Sequence, residues 1–178
     1  RTDSTGRYAV RLPRDSVVKV EAVAKNYFFE DFTTRIFGSP ELYKKYKINT
    51  DIVLPPAKPG EKAVLRNLFF VGDQAVLLKM SEPELPRILK FMQINSALQV
   101  EIAGHINKPG NPIPEPEPQE MELSINRARV IYDYLLKNGI TADRLRYKGY
   151  GNSEMMFPHA LGPKESEQNR RVEIRVLQ

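Results

Sequence analysis

Apolar and polar positions alternate with a period of two through much of the first 57 residues, and no 3.6-residue stripe competes with that pattern. Tyr8–Leu12 alternates. Val17–Ala24 carries Val17, Val18, Val20 and Val23, Tyr27–Phe37 is rich in aromatic and threonine residues, and Ile48–Leu54 makes a fourth candidate strand. Turn-forming residues at Ser4–Gly6, Pro13–Ser16 and Gly38–Pro40 separate these runs. The expectation is a small β-sandwich, or part of one. Pro55, Pro56 and Pro59 then interrupt any ladder, because proline has no backbone donor, so residues 58–64 are expected to link two units, 1–57 and 65–178.

Beyond the linker, strands and helices alternate. Leu65–Phe70 predicts a short strand. Ser81 and Glu84 predict a capping box ahead of Leu85, Leu89 and Met92, with Pro86 in the first helical turn. Leu98, Val100 and Ile102 alternate as a strand with one buried face. A second helix is predicted from an N-cap at Ser124, a stripe of Ile125, Ala128, Tyr132 and Leu135, and a stop at Asn138-Gly139. Leu145–Lys148 and Arg171–Leu177 complete a β-α-β-α-β-β order, an α+β fold with both helices on one face of an open mixed sheet. Between Gly110 and Leu123, prolines at 112, 114, 116 and 118 enforce extended, polyproline-like geometry. That loop is either a tolerated surface insertion or a segment that meets a partner or covers a site.

Composition narrows the chemistry. The 178 residues are 41% apolar and 28% charged, as in a folded globular chain. No run of about 18 apolar residues is present, so membrane attachment is expected only through a parent chain, and the signal of an exported parent is expected outside these residues. The absence of cysteine removes disulfides and thiolate chemistry. The net charge of +5 falls mostly before residue 61, where 11 − 7 = +4, but the bases are interleaved with acids, so nucleic acid is not an expected partner. His105 and His159 have no metal-ligand spacing, and no nucleophile elbow, P-loop or dinucleotide glycine pattern occurs. Neither an enzyme nor a cofactor is expected.

Arg127 breaks a local rule. Three residues after a Ser124 N-cap, a cation opposes the helix dipole. It either pairs with Glu120 or Glu122 or offers a guanidinium fork to a ligand carboxylate. Gly104-His105, followed by Asn107 and Gly110, places a loop at a strand's carboxyl edge, where His105 suits packing better than ligand contact.

The strings Val100-Glu-Ile-Ala-Gly-His105, Leu123-Ser-Ile-Asn-Arg127-Ala, Val130-Ile-Tyr-Asp-Tyr-Leu135, Lys148-Gly-Tyr-Gly151 and Asn169-Arg-Arg-Val-Glu173, in this order, resemble the OmpA-like peptidoglycan-binding domain. The resemblance covers residues 65–178. It implies noncovalent binding of cell-wall stem peptides, with an arginine on the carboxylate of diaminopimelate and an aspartate on its ammonium. Arg127 matches the arginine. The family pattern GHTD reads Gly104-His105-Ile106-Asn107, so a neutral amide stands where the aspartate is expected. Glu120 replaces a family asparagine, Val71 replaces a family acid or asparagine, and the intervening loop is longer. Arg170 or Arg171 matches the terminal arginine of the family's NRR motif, and Asp73, Ile106 and Leu123 join His105, Asn107, Glu120 and Arg127 as expected ligand contacts.

Residues 1–57 resemble a carboxypeptidase-regulatory-like β-sandwich without its opening strands, a pairing similar to peptidoglycan-binding subunits of the type IX secretion system in Bacteroidetes. The resemblance implies a periplasmic, outer-membrane-associated module. Peptidoglycan is its expected partner, with other envelope or secretion proteins as the alternative if Asn107 has cost it wall binding.

Overall fold

A computed structural model describes residues 2–9, 17–35, 51–110 and 112–178. β1 (Val17–Ala22) pairs antiparallel with β2 (Glu30–Arg35), running from Val17 opposite Arg35 to Ala22 opposite Glu30. Asn26, in the connecting turn, takes a positive φ of 67°, a conformation asparagine tolerates better than most residues. Tyr8, Ala9 and Asp51–Leu54 form no strand, and the remainder of those two expected strands lies outside the described residues.

The proline-rich stretch after the hairpin is packed. Pro55 cannot donate but accepts the Phe28 amide at 2.8 Å, Ala57 donates to Asn26 at 2.9 Å, and Gly60 donates to Val176 at 2.9 Å. Ala57 and Phe28 are buried in the same apolar cluster as the main sheet and helices.

Four strands form the larger sheet: β3 (Lys62–Val64), β4 (Val100–Gly104), β5 (Leu145–Gly149) and β6 (Val172–Val176), in the order β3-β6-β4-β5. β4 runs parallel to β5, and β6 is antiparallel to both β3 and β4. β3 precedes the predicted Leu65–Phe70 strand. Leu65 still donates to Val172 at 2.9 Å, but Leu68 then turns back onto the Leu65 carbonyl, so both leucines enter the core from a turn rather than from one strand face.

α1 (Glu84–Ile94) begins without the predicted capping box. Ser81 is committed elsewhere: its Oγ accepts the Phe69 amide at 2.7 Å and donates to the Phe69 carbonyl at 3.1 Å. α2 (Pro118–Lys137) starts six residues earlier than the predicted N-cap, because Pro118 suits a first helical position and Glu120 accepts the Glu117 amide at 2.7 Å in a capping box. Ser124 is therefore in the second turn, donating to the Met121 carbonyl at 2.7 Å. Arg127 lies beyond the reach of the helix-start dipole. A short helix, α3 (Pro163–Asn169), precedes β6.

Val100, Ile102, Val172, Ile174 and Val176 pack against Ile88, Phe91, Met92, Ala128, Ile131 and Leu135 of the helices. α2 lies directly on the strands at Gly104 and Gly149, where an added Cβ would come 2.0 Å from the Ser124 carbonyl oxygen and 2.4 Å from Ser124 Oγ. These two contacts fix the height of α2 above the sheet, and with it the position of Arg127.

Candidate functional site

A groove of about 570 Å³ opens between the Phe69–Met80 segment, α2 and α3. Phe69 and Phe70 line it, joined by Leu78 and Met80. The segment is shaped as a tight loop: Val71 donates to Val76 at 2.8 Å, Leu78 donates to Phe69 at 2.9 Å, and Asp73 sits at φ 51°. Ser81 holds the Phe69 backbone on both sides, which fixes this wall.

Arg127 enters from α2. Its side chain is nearly buried, lies 5.1 Å over the Phe70 ring and donates through Nε to the Gln74 carbonyl at 3.2 Å. Among the described residues it forms no ion pair, so the two terminal nitrogens of its fork carry no protein acceptor. Burial lowers its pKa, the nearby Arg170 lowers it further, and Asp73 partly compensates. Desolvating a guanidinium without a carboxylate is unfavourable, and such a group attracts an anion strongly. Arg170 and Glu167 line the groove from α3 and its end. Two cations, Arg127 and Arg170, thus face two carboxylates, Asp73 and Glu167, in a lining of zero formal charge. An apolar wall with balanced, separated charges is matched to a zwitterion.

Only Arg127, Asp73 and Arg170 of the expected contacts line this groove. Asn107 is held by Asn169, whose Nδ2 donates to its Oδ1 at 2.8 Å. Glu120 caps α2 and pairs with Lys108 Nζ at 2.5 Å, and Lys108 and the Glu117 amide keep its carboxyl below the usual range. Ile106 is buried, donating to Gly151 at 2.9 Å, and Leu123 is half-buried on α2. Glu167, Phe69, Phe70 and Met80 escaped the sequence reading. The adjacent phenylalanines were read as strand, and the polar α3 has no periodic apolar face to announce it.

His105 is fully buried on the opposite side of the sheet, stacked on Tyr150 at 5.4 Å, as expected for a packing residue. Its Nε2 lies 3.5 Å from Glu173 Oε2, and burial is the main reason its pKa falls below the ordinary imidazole value. Burial would raise the Glu173 pKa, but bonds from His105 and Arg175, with the Arg171 charge, pull it far below the carboxylate range. Arg171 Nη2 lies 2.7 Å from Glu173 Oε1, and Arg175 Nη2 lies 2.6 Å from Glu154 Oε2. His105, Glu154 and Glu173 offer ligand atoms within 4.8 Å of one another, but Lys62, Arg171 and Arg175 already saturate those carboxylates. The cluster is an ion-pair network, and a metal would have to displace its cations.

The profile of the OmpA family matches residues 69–170, more than half the chain and all of the groove. The chain belongs to the OmpA family. Its fold is shared with a putative MotB-like protein from Desulfovibrio vulgaris, at a TM-score of 0.54 and 21% identity over 65% of this chain and 72% of that one. The periplasmic domain of Helicobacter pylori MotB matches at 0.53 and 21%, covering 65% and 73%. Two sequence relatives are a protein of Gloeobacter violaceus described as photosystem I P700 chlorophyll a apoprotein A2, 32% identical over 127 residues, and an outer membrane protein of Gluconacetobacter diazotrophicus, 30% identical over 109. The matches take in 66% and 60% of this OmpA-family chain but only 14% and 28% of those relatives. Among the described residues, no helix is long and apolar enough to cross a membrane.

Proposed function

We propose that this OmpA-family domain binds peptidoglycan without catalysis, seating the zwitterionic end of a diaminopimelate stem peptide in the groove and anchoring an envelope assembly to the cell wall. The observation that carries the reading is the buried, carboxylate-free guanidinium of Arg127 at an open groove. Its free fork takes the ligand carboxylate through two charge-assisted hydrogen bonds. Asp73 and Glu167 take the ammonium, supplying the negative charge that Asn107 lacks. Phe69, Phe70 and Met80 cover the aliphatic stem between the two charged ends.

The relative called an outer membrane protein supports an envelope location, with this domain in the periplasm. We read the parent as an outer-membrane-associated protein, with the likeness of residues 1–57 to a regulatory-like sandwich favouring a type IX secretion subunit. Sedimentation with purified sacculi tests the function. Wild-type protein is expected in the pellet and Arg127→Ala in the supernatant. A wild-type protein that stays in solution would leave protein–protein contact within the envelope as the better account.

A further inference from the structure

A second groove of about 470 Å³ adjoins the first and shares Phe69, Glu167 and Arg170 with it. Leu65 and Leu68 supply apolar lining, the half-exposed Met156 stands at its wall, and Arg66 and Arg171 join Arg170. Arg171 is paired with Glu173, so the remaining charges of this lining are Arg66 and Arg170 against Glu167, 2 − 1 = +1, where the first groove is neutral. Arg171 is 5% exposed, and its Nη1 has no hydrogen-bond partner, although Nε donates to Glu173 at 2.8 Å and Nη2 to the Glu154 carbonyl at 2.9 Å. Arg66 is exposed and forms no hydrogen bond or ion pair with any described residue. Cationic donors without acceptors therefore gather beside an apolar surface, a composition suited to an anion on a short carbon chain.

We propose that the second groove is an acidic subsite for the same ligand: it receives a free carboxylate on the residue next to diaminopimelate, so that one acidic peptide spans both grooves across Arg170. Arg66 and Arg170 bind the carboxylate, Arg171 offers its unpartnered Nη1 donor from beneath, and Leu65, Leu68 and Met156 pack the intervening methylenes. This rests on the reading of the first groove. The two linings share three residues, which puts the second groove beside the first.

Isothermal titration with three probes tests the assignment: free meso-diaminopimelate, the tripeptide Ala-γ-Glu-diaminopimelate, and that tripeptide with its glutamyl α-carboxylate amidated. The wild-type protein is expected to bind the acidic tripeptide about tenfold more tightly than the amidated one, the size of one charge-assisted hydrogen bond. Arg66→Ala removes most of that preference and Arg66→Glu reverses it, with free diaminopimelate affinity unchanged in both. Equal wild-type affinity for the two tripeptides, or a preference that survives both Arg66 variants, overturns the second subsite. Arg127→Ala isolates the first groove: if it leaves free diaminopimelate binding intact, the zwitterion site itself is wrong.

Discussion

Asn169 Nδ2 donates to Asn107 Oδ1 at 2.8 Å, tying the end of α3 to the loop after β4. The same nitrogen donates to the Phe157 carbonyl at 2.8 Å, and Oδ1 accepts the Phe157 amide at 2.9 Å. Asn169 is fully buried, so removing it strands polar groups in the interior. Asn169→Ala is expected to cost about 2–4 kcal/mol in urea unfolding. Asn107→Asp keeps the acceptor for Asn169 and lies outside the groove lining. Its stability is expected to stay within about 1 kcal/mol of wild type, and its stem-peptide affinity within about threefold.

Apart from α3, the order of strands and helices was legible because the buried stripes are regular: Val100 and Ile102 on β4, Ala128 and Leu135 on α2. Arg127 stood out as a cation three residues after an expected Ser124 N-cap and as the match to the arginine of the OmpA-like motif; the first reason fails, because the helix starts at Pro118. What hid the start of α2 was Pro118, which ends an extended proline series and opens the helix at once. Glu120 looked available for a ligand only because nothing in the sequence brings Lys108 to it. Glu167 depends on the placement of a seven-residue helix between loop and strand, which is decided by tertiary packing.

Arg127→Met should separate binding from stability. The methionine keeps most of the packing on Phe70 and eliminates an unpaired buried charge that makes one hydrogen bond, to Gln74. Replacing poorly compensated buried charge by an apolar side chain is commonly stabilising, so the variant is expected to gain about 1 kcal/mol in urea unfolding. Its stem-peptide affinity is expected to fall by at least about 2 kcal/mol in calorimetric titration. A variant that loses stability and retains affinity would show that Arg127 is structural.

Acid should destabilise the domain in two stages. His105 is held below its ordinary value of 6.5 chiefly by burial, so below that pH the unfolded chain takes up a proton that the folded chain resists. Stability is therefore fully present above the unfolded value and falls as pH drops through it. Glu173, ordinarily near 4.5, has its pKa lowered too, so a second loss begins below that pH. Each group contributes a slope of at most about 1.4 kcal/mol per pH unit. Unfolding free energies measured from pH 7 to pH 3 should show both stages, and His105→Phe, which keeps a ring against Tyr150 but removes a bond that lowers the Glu173 pKa, should abolish the upper stage and weaken the lower one.

The close approach of α2 to β4 offers a mechanical test. An alanine Cβ at 104 would lie 2.0 Å from the Ser124 carbonyl oxygen and 3.0 Å from its carbon, backbone atoms with no rotamer to move. The helix must lift. Gly104→Ala is expected to cost about 3 kcal/mol or more and to displace Arg127, one helical turn along. Surviving folded protein should bind stem peptide less tightly.

Phe28 decides whether the hairpin and the OmpA-family domain unfold as one unit. Its ring is 1% exposed and stacks on Phe91 of α1 with centroids 5.5 Å apart, while Phe29 meets the same ring edge-on at 6.0 Å. Arg87, also on α1, lies 4.7 Å over Phe29 and pairs with Asp31 of β2 at 3.0 Å. A hairpin joined by a loose tether would leave Phe91 covered by its own domain; here Phe28 is that cover. Phe28→Ala should therefore cost about 3–5 kcal/mol, the usual range for truncating a buried phenylalanine. The loss should appear in the transition that melts α1 and the four-stranded sheet, with backbone circular dichroism and tyrosine fluorescence moving together. An unchanged main transition preceded by a small early one would mean that the hairpin folds separately and rests on α1 without stabilising it.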